Sequence, residues 1–207
     1  MGTICCQRNR IETSSSNGET ITQKADSMQM VLDKIYMGSA VAAKNKQLLI
    51  DNGITHIIAI GWNLEKHYED RFEYLLINRI EDSPECVILN QFEKCFNFIE
   101  QCFANDKNRL FVHCHKGLSR SATVVIAYEM YRNKTDFDSV LYKIRENRSF
   151  IMPNIGFQAQ LHEFKNQNYS LDMNKYQHFD VIDFIQHRLP KMLERVKFNY
   201  NAYKTNP

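Results

Sequence analysis

Apolar residues along the chain follow two different spacings, and each spacing predicts one kind of element. Short apolar runs rich in β-branched or aromatic residues predict strands, and three of them are ITHIIAI, FEYLLINRI and RLFVHC. Apolar residues that recur every three or four positions predict helices, in VILNQFEKCFNFIEQCF, SATVVIAYEMY, DFDSVLYKIREN and IGFQAQLHEF. Strands that alternate with helices predict an α/β fold, in which helices flank a central, mostly parallel, twisted sheet.

The N-terminal part of the chain changes from polar to patterned near residue 30. Residues 1–28 are rich in Ser, Thr, Asn and Gln and show no apolar period, which predicts a flexible tail. Order is expected to begin near MVLDKIYMGS and to continue through a short helix in KNKQLLIDNG, where Gly53 is placed to end it. Because ITHIIAI follows directly, this part is predicted to run strand, helix, strand.

The C-terminal segment VIDFIQHRLPKMLERVKFNYNAY predicts an amphipathic helix that packs on the rest of the chain, with Pro190 bending or restarting it. The positions expected on its apolar face are Ile182, Ile185, Leu189, Met192 or Leu193, Val196, Tyr200 and Tyr203. The opposite face carries His187, Arg188, Lys191, Arg195 and Lys197. A solvated face is the simpler reading of these basic residues, and a partner or membrane surface is the alternative.

Length and composition indicate one domain with tails, because 207 residues can bury one sizeable core. A hydrophobic content of 43%, a charged content of 24% and a net charge of +2 are typical of soluble globular chains and give no sign of nucleic-acid binding. No run approaches about 18 consecutive apolar residues. The start MGTICCQRNR lacks the apolar core of a secretory signal. We therefore expect a cytoplasmic or nuclear protein that binds no nucleic acid.

The six cysteines lack the dense spacing of a disulfide-stapled secreted domain, so we interpret them as reduced thiols. They are Cys5, Cys6, Cys86, Cys95, Cys102 and Cys114. The helical pattern between residues 87 and 103 places Cys95 on the apolar face and makes Cys102 a further core candidate.

The segment HCHKGLSRS joins a predicted strand to a predicted helix and concentrates the candidate chemistry. The strand is expected to end at His113 or Cys114 and the helix to begin near Arg120. Loop amides and the helix N-terminus would then face one point, which is where an anion binds. The helix dipole and the neighbouring Lys116 and Arg120 favour a Cys114 thiolate, and a thiolate at neutral pH is a nucleophile. Gly117 removes a side chain where the backbone must approach the ligand closely.

Two simpler readings of Cys114 compete with the nucleophile. A lone cysteine at a strand end is more often a packed core residue than a reactive one. The tripeptide His-Cys-His could also belong to a metal site. However, consecutive strand residues point to opposite faces, and no second His/Cys cluster with ligand spacing occurs in the sequence. We therefore expect no metal or other cofactor.

The same residues carry a resemblance to a known family. HCHKGLSRS matches the His-Cys-x5-Arg-Ser signature of the cysteine-dependent protein phosphatases, and SATVVIAYEM resembles the helix that follows it in the dual-specificity branch. Further segments resemble that branch in the same order, namely VLDKIYMGSAVAA, LLIDNGITHIIAI, RIEDSP and FIMPNIGFQAQLHEF. The resemblance covers roughly residues 29–165. It implies a single dual-specificity phosphatase-like domain over 29–168, with the tail 1–28 before it and a helical extension 169–207 after it.

The resemblance implies a role for each residue of the loop. Cys114 would attack phosphorus and become a phosphocysteine, Arg120 would clamp the phosphate, and His113 would tune the thiolate from behind the loop. Ser121 would supply the hydroxyl that helps the sulfur leave. The remaining loop residues would contribute mainly backbone N–H groups to substrate binding, and they are His115, Lys116, Gly117, Leu118 and Ser119.

Phosphoryl transfer to Cys114 also needs a general acid, because the leaving oxygen must be protonated as its bond to phosphorus breaks. The segment NRIEDSPE offers Glu81, Asp82 and Glu85. Asp82 lies 32 residues before Cys114, a separation that resembles the dual-specificity branch. We therefore assign the role to Asp82, with Glu81 as the substitute.

The expected substrates are proteins phosphorylated on tyrosine, serine or threonine. The tyrosine-specific branch carries a Trp-Pro-Asp acid loop, whereas the single tryptophan here is Trp62, so the resemblance implies a shallower cleft that admits the shorter side chains. Two other hypotheses remain. One is a phosphoinositide or RNA phosphatase with the same loop chemistry, and the other is a phosphate-recognition module with little turnover.

The N-terminal sequence MGTICC is a candidate for lipid attachment. After removal of Met1, Gly2 could accept a myristoyl chain, although the usual pattern has Ser or Thr where this chain has Cys6. One myristoyl chain binds a bilayer only marginally, and palmitoylation of Cys5 and Cys6 would supply the second anchor. The hypothesis is a catalytic domain tethered to the cytoplasmic face of a membrane. The alternative is an ordinary chain start in which Gly2 occurs by chance.

Overall fold

The computed structural model describes residues 27–188 and Pro190. Five strands within this part of the chain form one sheet, in the order β1-β2-β5-β3-β4. They are β1 Gln29–Leu32, β2 Ile35–Gly38, β3 His56–Ile60, β4 Glu73–Ile77 and β5 Leu110–His113. The pair β1 and β2 is antiparallel, and the other three neighbouring pairs are parallel. The predicted α/β fold with a mostly parallel sheet is confirmed.

The segment MVLDKIYMGS forms two strands, where the sequence predicted one. β1 and β2 pair as a hairpin in which Gln29 lies opposite Met37, and the turn between them places Lys34 at φ 60. Ser27 and Met28 were predicted to belong to the flexible tail. Met28 nevertheless packs on the core, and the carbonyl of Ser27 accepts a hydrogen bond from Arg148. The ordered structure therefore starts at least two residues before the predicted boundary.

Side chains of successive strand residues enter two separate cores on opposite faces of the sheet. In β5, Val112 joins the larger core and Phe111 the smaller one, and in β2 the same division separates Met37 from Tyr36. Because both faces are covered, the central strands are apolar at nearly every position. This explains why they appear in the sequence as short continuous apolar runs.

Helices cover the two faces unequally. The helices are α1 Ala40–Ala43, α2 Lys46–Asp51, α3 Phe92–Phe103, α4 Arg120–Asn133, α5 Phe137–Arg145 and α6 Ile155–Asn166. α1 and α2 pack over the smaller core, and α3 to α6 enclose the larger one. Gly53 follows α2 with φ +68, as predicted for the residue that ends this helix. Cys95 and Cys102 are fully buried in the larger core, which confirms their assignment from the helical spacing.

The chain beyond α6 continues with a 3-10 turn at Met173–Tyr176 and a helical segment that begins at Val181. The helical segment packs on α6 through Val181 and Phe184, which contact Ala159. Ile182 was predicted on the apolar face but is 40% exposed, so that prediction is wrong. Val181 and Phe184 are the buried residues of this segment, and the predicted Ile185 packs partly buried against the same cluster. Leu189 and residues 191–207 lie outside the described part of the chain.

Among residues 27–188, no helix has both the length and the apolar character needed to cross a membrane.

Candidate active site

The edge of the sheet at which the parallel strands end holds the predicted catalytic loop. β5 ends at His113, Cys114 follows at once, and α4 begins at Arg120, as predicted. Because β2 and β3 flank β5 in parallel, the residues after them lie beside this loop. Where the loop approaches the end of β2, position 117 must be a glycine. Its φ is +66, and a Cβ there would lie 2.3 Å from the carbonyl oxygen of Gly38.

The thiol of Cys114 lies at the centre of the loop and is 1% exposed. Its Sγ accepts hydrogen bonds from the Gly117 amide at 3.1 Å and from the Ser121 hydroxyl at 3.3 Å. Burial raises the pKa of this thiol. The hydrogen bonds from Ser121, the positive charge of Arg120 and the Leu118 amide outweigh burial, so the pKa lies below its usual value of 9.0. The site therefore favours a thiolate.

A buried arginine supports the loop from behind. Arg148 is 1% exposed, and its guanidinium donates to the carbonyls of Gly117 at 3.1 Å and Lys116 at 3.4 Å. Holding these two carbonyls on the far side of the loop leaves the backbone amides to face the thiol. Burial lowers the pKa of Arg148 to about 10, so it remains charged at neutral pH.

The N-terminus of α4 faces the same space as the thiol. Ser119 occupies the N-cap position, but its side chain makes no capping hydrogen bond to the helix. The first amides of α4 therefore keep their capacity to bind an anion. Arg120 is 7% exposed, and its Nη1 donates to the carbonyl of Ile80 at 3.1 Å. Among the described residues, Nε of Arg120 has no hydrogen-bond partner. Nη1 of this arginine is thus anchored, whereas its Nε makes no hydrogen bond among the described residues and keeps the capacity to donate one.

Asp82 approaches the loop from the segment after β4. Its Oδ1 accepts hydrogen bonds from the Ser119 hydroxyl at 2.6 Å and from Nδ2 of Asn154 at 2.8 Å. Its Oδ2 lies 3.8 Å from Nε of Arg120. The carboxyl side chain keeps 36% of its surface exposed, whereas the Arg120 side chain is nearly buried. Asp82 therefore borders the open side of the anion site.

The two histidines beside Cys114 have different environments. His113 is buried, with Nδ1 3.4 Å from the carbonyl of Cys114, and burial lowers its pKa to about 4. It is therefore neutral at pH 7. His115 is exposed, and its Nε2 lies 2.6 Å from the carbonyl of Trp62. No group of three His, Cys, Asp or Glu side chains in the described residues is arranged to hold a metal ion.

The structure brings together most of the residues predicted for the site. Ser121 contacts Cys114 and Asp82 contacts Arg120, and His115 to Ser119 form the loop between Cys114 and Arg120. Gly2, Cys5 and Cys6 lie outside the described residues.

Three parts of the site escaped sequence analysis, because each comes from a separate element. They are Arg148 before α6, Asn154 at the start of α6, and the Gly61–Trp62 step after β3. The Gly61–Trp62 step could have been predicted from the sequence, because residues that follow adjacent parallel strands meet at one edge of the sheet. Asn154 lies within a segment that carries the family resemblance, but its contact with Asp82 has no sequence signal.

Comparison with known proteins gives a consistent picture. Residues 35–167 match the family described as "Dual specificity phosphatase, catalytic domain". The chain is 38% identical over 137 residues to dual specificity protein phosphatase 1-A of Xenopus laevis, which covers 66% of this chain and 37% of that protein. It is 41% identical over 137 residues to dual specificity protein phosphatase 15 of Mus musculus, which covers 66% of this chain and 57% of that protein. The chain thus matches about a third to a little over half of the length of these two relatives.

Solved structures share the fold as well. The crystal structure of DUSP15 aligns with a TM-score of 0.65 at 35% identity and covers 75% of this chain and 99% of that one. The crystal structure of human tyrosine phosphatase-like serine/threonine/tyrosine-interacting protein also aligns with a TM-score of 0.65, at 31% identity, and covers 69% of this chain and 98% of that one.

Proposed function

Because the chain belongs to the dual specificity phosphatase family, we propose that it is a protein phosphatase that hydrolyses phosphotyrosine and phosphoserine or phosphothreonine through a phosphocysteine intermediate. The single observation that carries this proposal is the state of Cys114. A buried thiol whose sulfur accepts two hydrogen bonds, and whose pKa lies below its usual value, is suited to attack phosphorus.

In the first step, the Cys114 thiolate attacks phosphorus and the bond between phosphorus and the substrate oxygen breaks. The loop amides, the first amides of α4 and Nε of Arg120 would bind the three other phosphate oxygens. Asp82 donates its proton to the leaving oxygen, so that the alcohol or phenol leaves neutral. The products are the dephosphorylated side chain, a phosphocysteine and an ionised Asp82.

In the second step, water attacks the phosphocysteine and Asp82 takes a proton from it. The bond between phosphorus and sulfur breaks, and the electron pair stays on sulfur. The Ser121 hydroxyl, which already donates to this sulfur at 3.3 Å, stabilises the thiolate that forms. Inorganic phosphate leaves, and both Cys114 and Asp82 return to their starting states.

We assign the acid role to Asp82 and not to Glu81, because Asp82 makes the contacts with the site. Its two oxygens face Ser119 and Arg120, both of which belong to the loop or to the helix that follows it. Glu81 is exposed. These contacts, which border the open side of the anion site, support the proposed acid role of Asp82.

A panel of substrates tests the proposal. The wild type and Cys114→Ser should be compared on a small aryl phosphate, on phosphotyrosine and phosphothreonine peptides, and on phosphoinositides and a 5′-phosphorylated RNA. We expect the wild type to hydrolyse the aryl phosphate and both peptides, and Cys114→Ser to hydrolyse none of them, because its hydroxyl is not ionised. Preference for phosphoinositides or RNA would contradict the protein-phosphatase proposal. Phosphate binding without turnover would identify a recognition module.

We also propose phosphorylated proteins in the cytoplasm as the substrates, with the enzyme held at the cytoplasmic face of a membrane by acylation of Gly2, Cys5 and Cys6. The sequence MGTICC supports this part of the proposal. Arg8 and Arg10 would add a weak attraction to anionic lipid.

A further inference from the structure

We infer that the catalytic loop is bordered by an apolar rim, formed by Val41, Trp62 and Met152, which binds apolar side chains of the substrate two residues before and after the phosphorylated residue. The inference rests on the proposed function, because it names the kind of phosphorylated sequence that the same loop would accept. The rim residues come from three separate parts of the fold. Val41 lies in α1, Trp62 follows β3, and Met152 lies between α5 and α6.

All three rim side chains are apolar and exposed to solvent. The exposed fractions are 58% for Val41, 44% for Trp62 and 60% for Met152. Single exposed apolar residues are normal on a protein surface and need no explanation. These three differ in their position, because each lies within one residue of a backbone group that contacts the loop between Cys114 and Arg120.

Trp62 lies beside both the start of the loop and the arginine that ends it. Nε2 of His115 donates a hydrogen bond to the carbonyl of Trp62 at 2.6 Å. A Cβ on the preceding residue, Gly61, would lie 3.1 Å from Nη1 of Arg120. Both approaches are made by the backbone of this segment, so the indole takes no part in them. Tryptophan is among the residue types that contribute most to binding interfaces.

Val41 and Met152 lie beside the loop in the same way. The amide of Ala40, the residue before Val41, donates to the carbonyl of His115 at 3.0 Å. The amide of Met152 donates to the carbonyl of Leu118 at 3.0 Å. Val41 therefore lies near the same loop residue as the tryptophan, whereas Met152 lies further along the loop. The rim thus contacts the loop at two different places.

A phosphorylated residue bound in the loop fixes where its neighbours in the substrate lie. In an extended chain, side chains alternate between two faces, so the residues two positions away point in the same direction as the phosphorylated one. Each lies roughly 7 Å from it along the chain, at a rise of about 3.3 Å per residue. These side chains therefore face the enzyme where the rim borders the loop, and the adjacent residues point away.

Charge is the competing basis for recognition at the same positions. Lys116 is exposed in the loop, so an acidic substrate residue could pair with it. An ion pair between exposed groups contributes little, because solvent and salt screen it. Covering the three apolar side chains removes apolar surface from water, which is the larger effect. The rim therefore selects apolar residues over acidic ones.

Phosphotyrosine peptides that differ at a single position test this selection. Leucine, glycine or glutamate is placed two residues before or two residues after the phosphotyrosine, and peptides with leucine directly beside it are the controls. The variants are Trp62→Ala and Met152→Ala. Their matched controls are Tyr142→Ala and Met173→Ala, which remove exposed apolar side chains from α5 and from the 3-10 turn. The readout is the ratio of kcat/KM between two peptides, because a general loss of turnover cancels in it.

For the wild type we expect kcat/KM with leucine two positions away to exceed that with glycine or glutamate by about tenfold. Leucine directly beside the phosphotyrosine should give no preference, because that side chain points away from the rim. Trp62→Ala should abolish the preference for leucine at one of the two positions, and Met152→Ala should abolish it at the other. Tyr142→Ala and Met173→Ala should keep the ratios of the wild type.

Equal rates on the leucine and glycine peptides would overturn the inference, as would a preference confined to the adjacent positions. A preference for glutamate would overturn it too and would assign recognition to the charge of Lys116. So would a preference for leucine that neither Trp62→Ala nor Met152→Ala lowers. In each of these cases, hydrolysis of the peptides by the wild type would still support the proposed function. A wild type that hydrolyses no phosphopeptide and no aryl phosphate would overturn the proposed function and this inference with it.

Discussion

Nε of Arg148 donates a hydrogen bond to the carbonyl of Gly117 at 3.1 Å, from a position behind the loop that holds Cys114. The same guanidinium reaches the carbonyl of Lys116 at 3.4 Å. Two neighbouring carbonyls of the loop are thus fixed on one side by a single planar group. The backbone amides of the loop are left to face the anion site, so Arg148 orients a site that it does not contact.

Arg148→Lys should weaken phosphate binding. A lysine ammonium is a point charge and cannot reproduce the planar fork that reaches two carbonyls. We expect the inhibition constant of inorganic phosphate to rise and kcat/KM to fall, each by something on the order of tenfold. Arg145→Lys is the matched control, because Arg145 also binds a backbone carbonyl with its guanidinium, that of Ile151. Equal effects of the two variants would show that the loss is not specific to the loop.

Ser121→Ala should move the acid limb of the pH profile of kcat/KM to higher pH. Although burial raises the pKa of Cys114, the hydrogen bonds from Ser121 are the largest of the effects that lower it. Without the hydroxyl, the pKa of Cys114 rises toward its usual value of 9.0, and less thiolate is present at a given pH. The pH dependence of kcat/KM and the rate of inactivation by iodoacetamide should shift together. An unchanged acid limb would mean that Ser121 does not stabilise the thiolate.

The buried His113 should make the protein less stable as the pH falls. Burial lowers its pKa from 6.5 to about 4. Between these two pH values the histidine binds a proton in the unfolded chain but stays neutral in the folded chain. The resulting contribution to the free energy of unfolding is about 3 kcal/mol. It is fully present above pH 6.5 and is lost as the pH falls from 6.5 to 4. Urea unfolding of the wild type and His113→Asn at pH 7, 5 and 4 measures it. The free energies of the two proteins should converge toward low pH, and a constant difference would contradict the assignment.

Asp82→Ala should lower turnover of phosphotyrosine substrates by something on the order of 10²-fold or more. The alkaline limb of the pH profile should flatten, because it reports loss of the acid's proton, and the acid limb should remain, because it reports ionisation of Cys114. Glu81→Ala is the matched control and should keep both limbs. If Glu81→Ala flattened the alkaline limb and Asp82→Ala did not, the acid would be the neighbouring residue.

Changes at the N-terminus should alter location without altering catalysis. If Gly2 is myristoylated and Cys5 and Cys6 are palmitoylated, part of the wild type should sediment with membranes in fractionated cells. Gly2→Ala and a double Cys5→Ala/Cys6→Ala variant should both be released, because stable anchoring takes two signals. Their turnover of an aryl phosphate should match the wild type. Equal solubility of all three proteins would refute the anchor and leave the phosphatase proposal intact.

Local patterns determined the elements, because each depends on neighbours in the chain. The continuous apolar runs of β3 and β5 and the three-to-four spacing of α3 predicted those elements and the burial of Cys95. The loop between His113 and Arg120 was predictable for the same reason. Cys114, Gly117 and Arg120 lie within seven residues of one another, and their spacing sets their geometry. The prediction for Ile182 was wrong, because Val181 and Phe184 form the buried face of that segment.

Tertiary structure alone decided what surrounds this loop. Arg148 meets Gly117 across 31 residues, and Asn154 meets Asp82 across 72. These contacts depend on how the segment between α5 and α6 is placed beside the loop after β5, and no local spacing encodes that. The sequence by itself pointed to Cys114, Arg120 and Asp82 as candidates for the nucleophile, the phosphate clamp and the acid. Only the packed fold could decide that Oδ1 of Asp82 faces Ser119 and Asn154 while its Oδ2 faces Arg120, because folding brings these distant partners to one carboxylate.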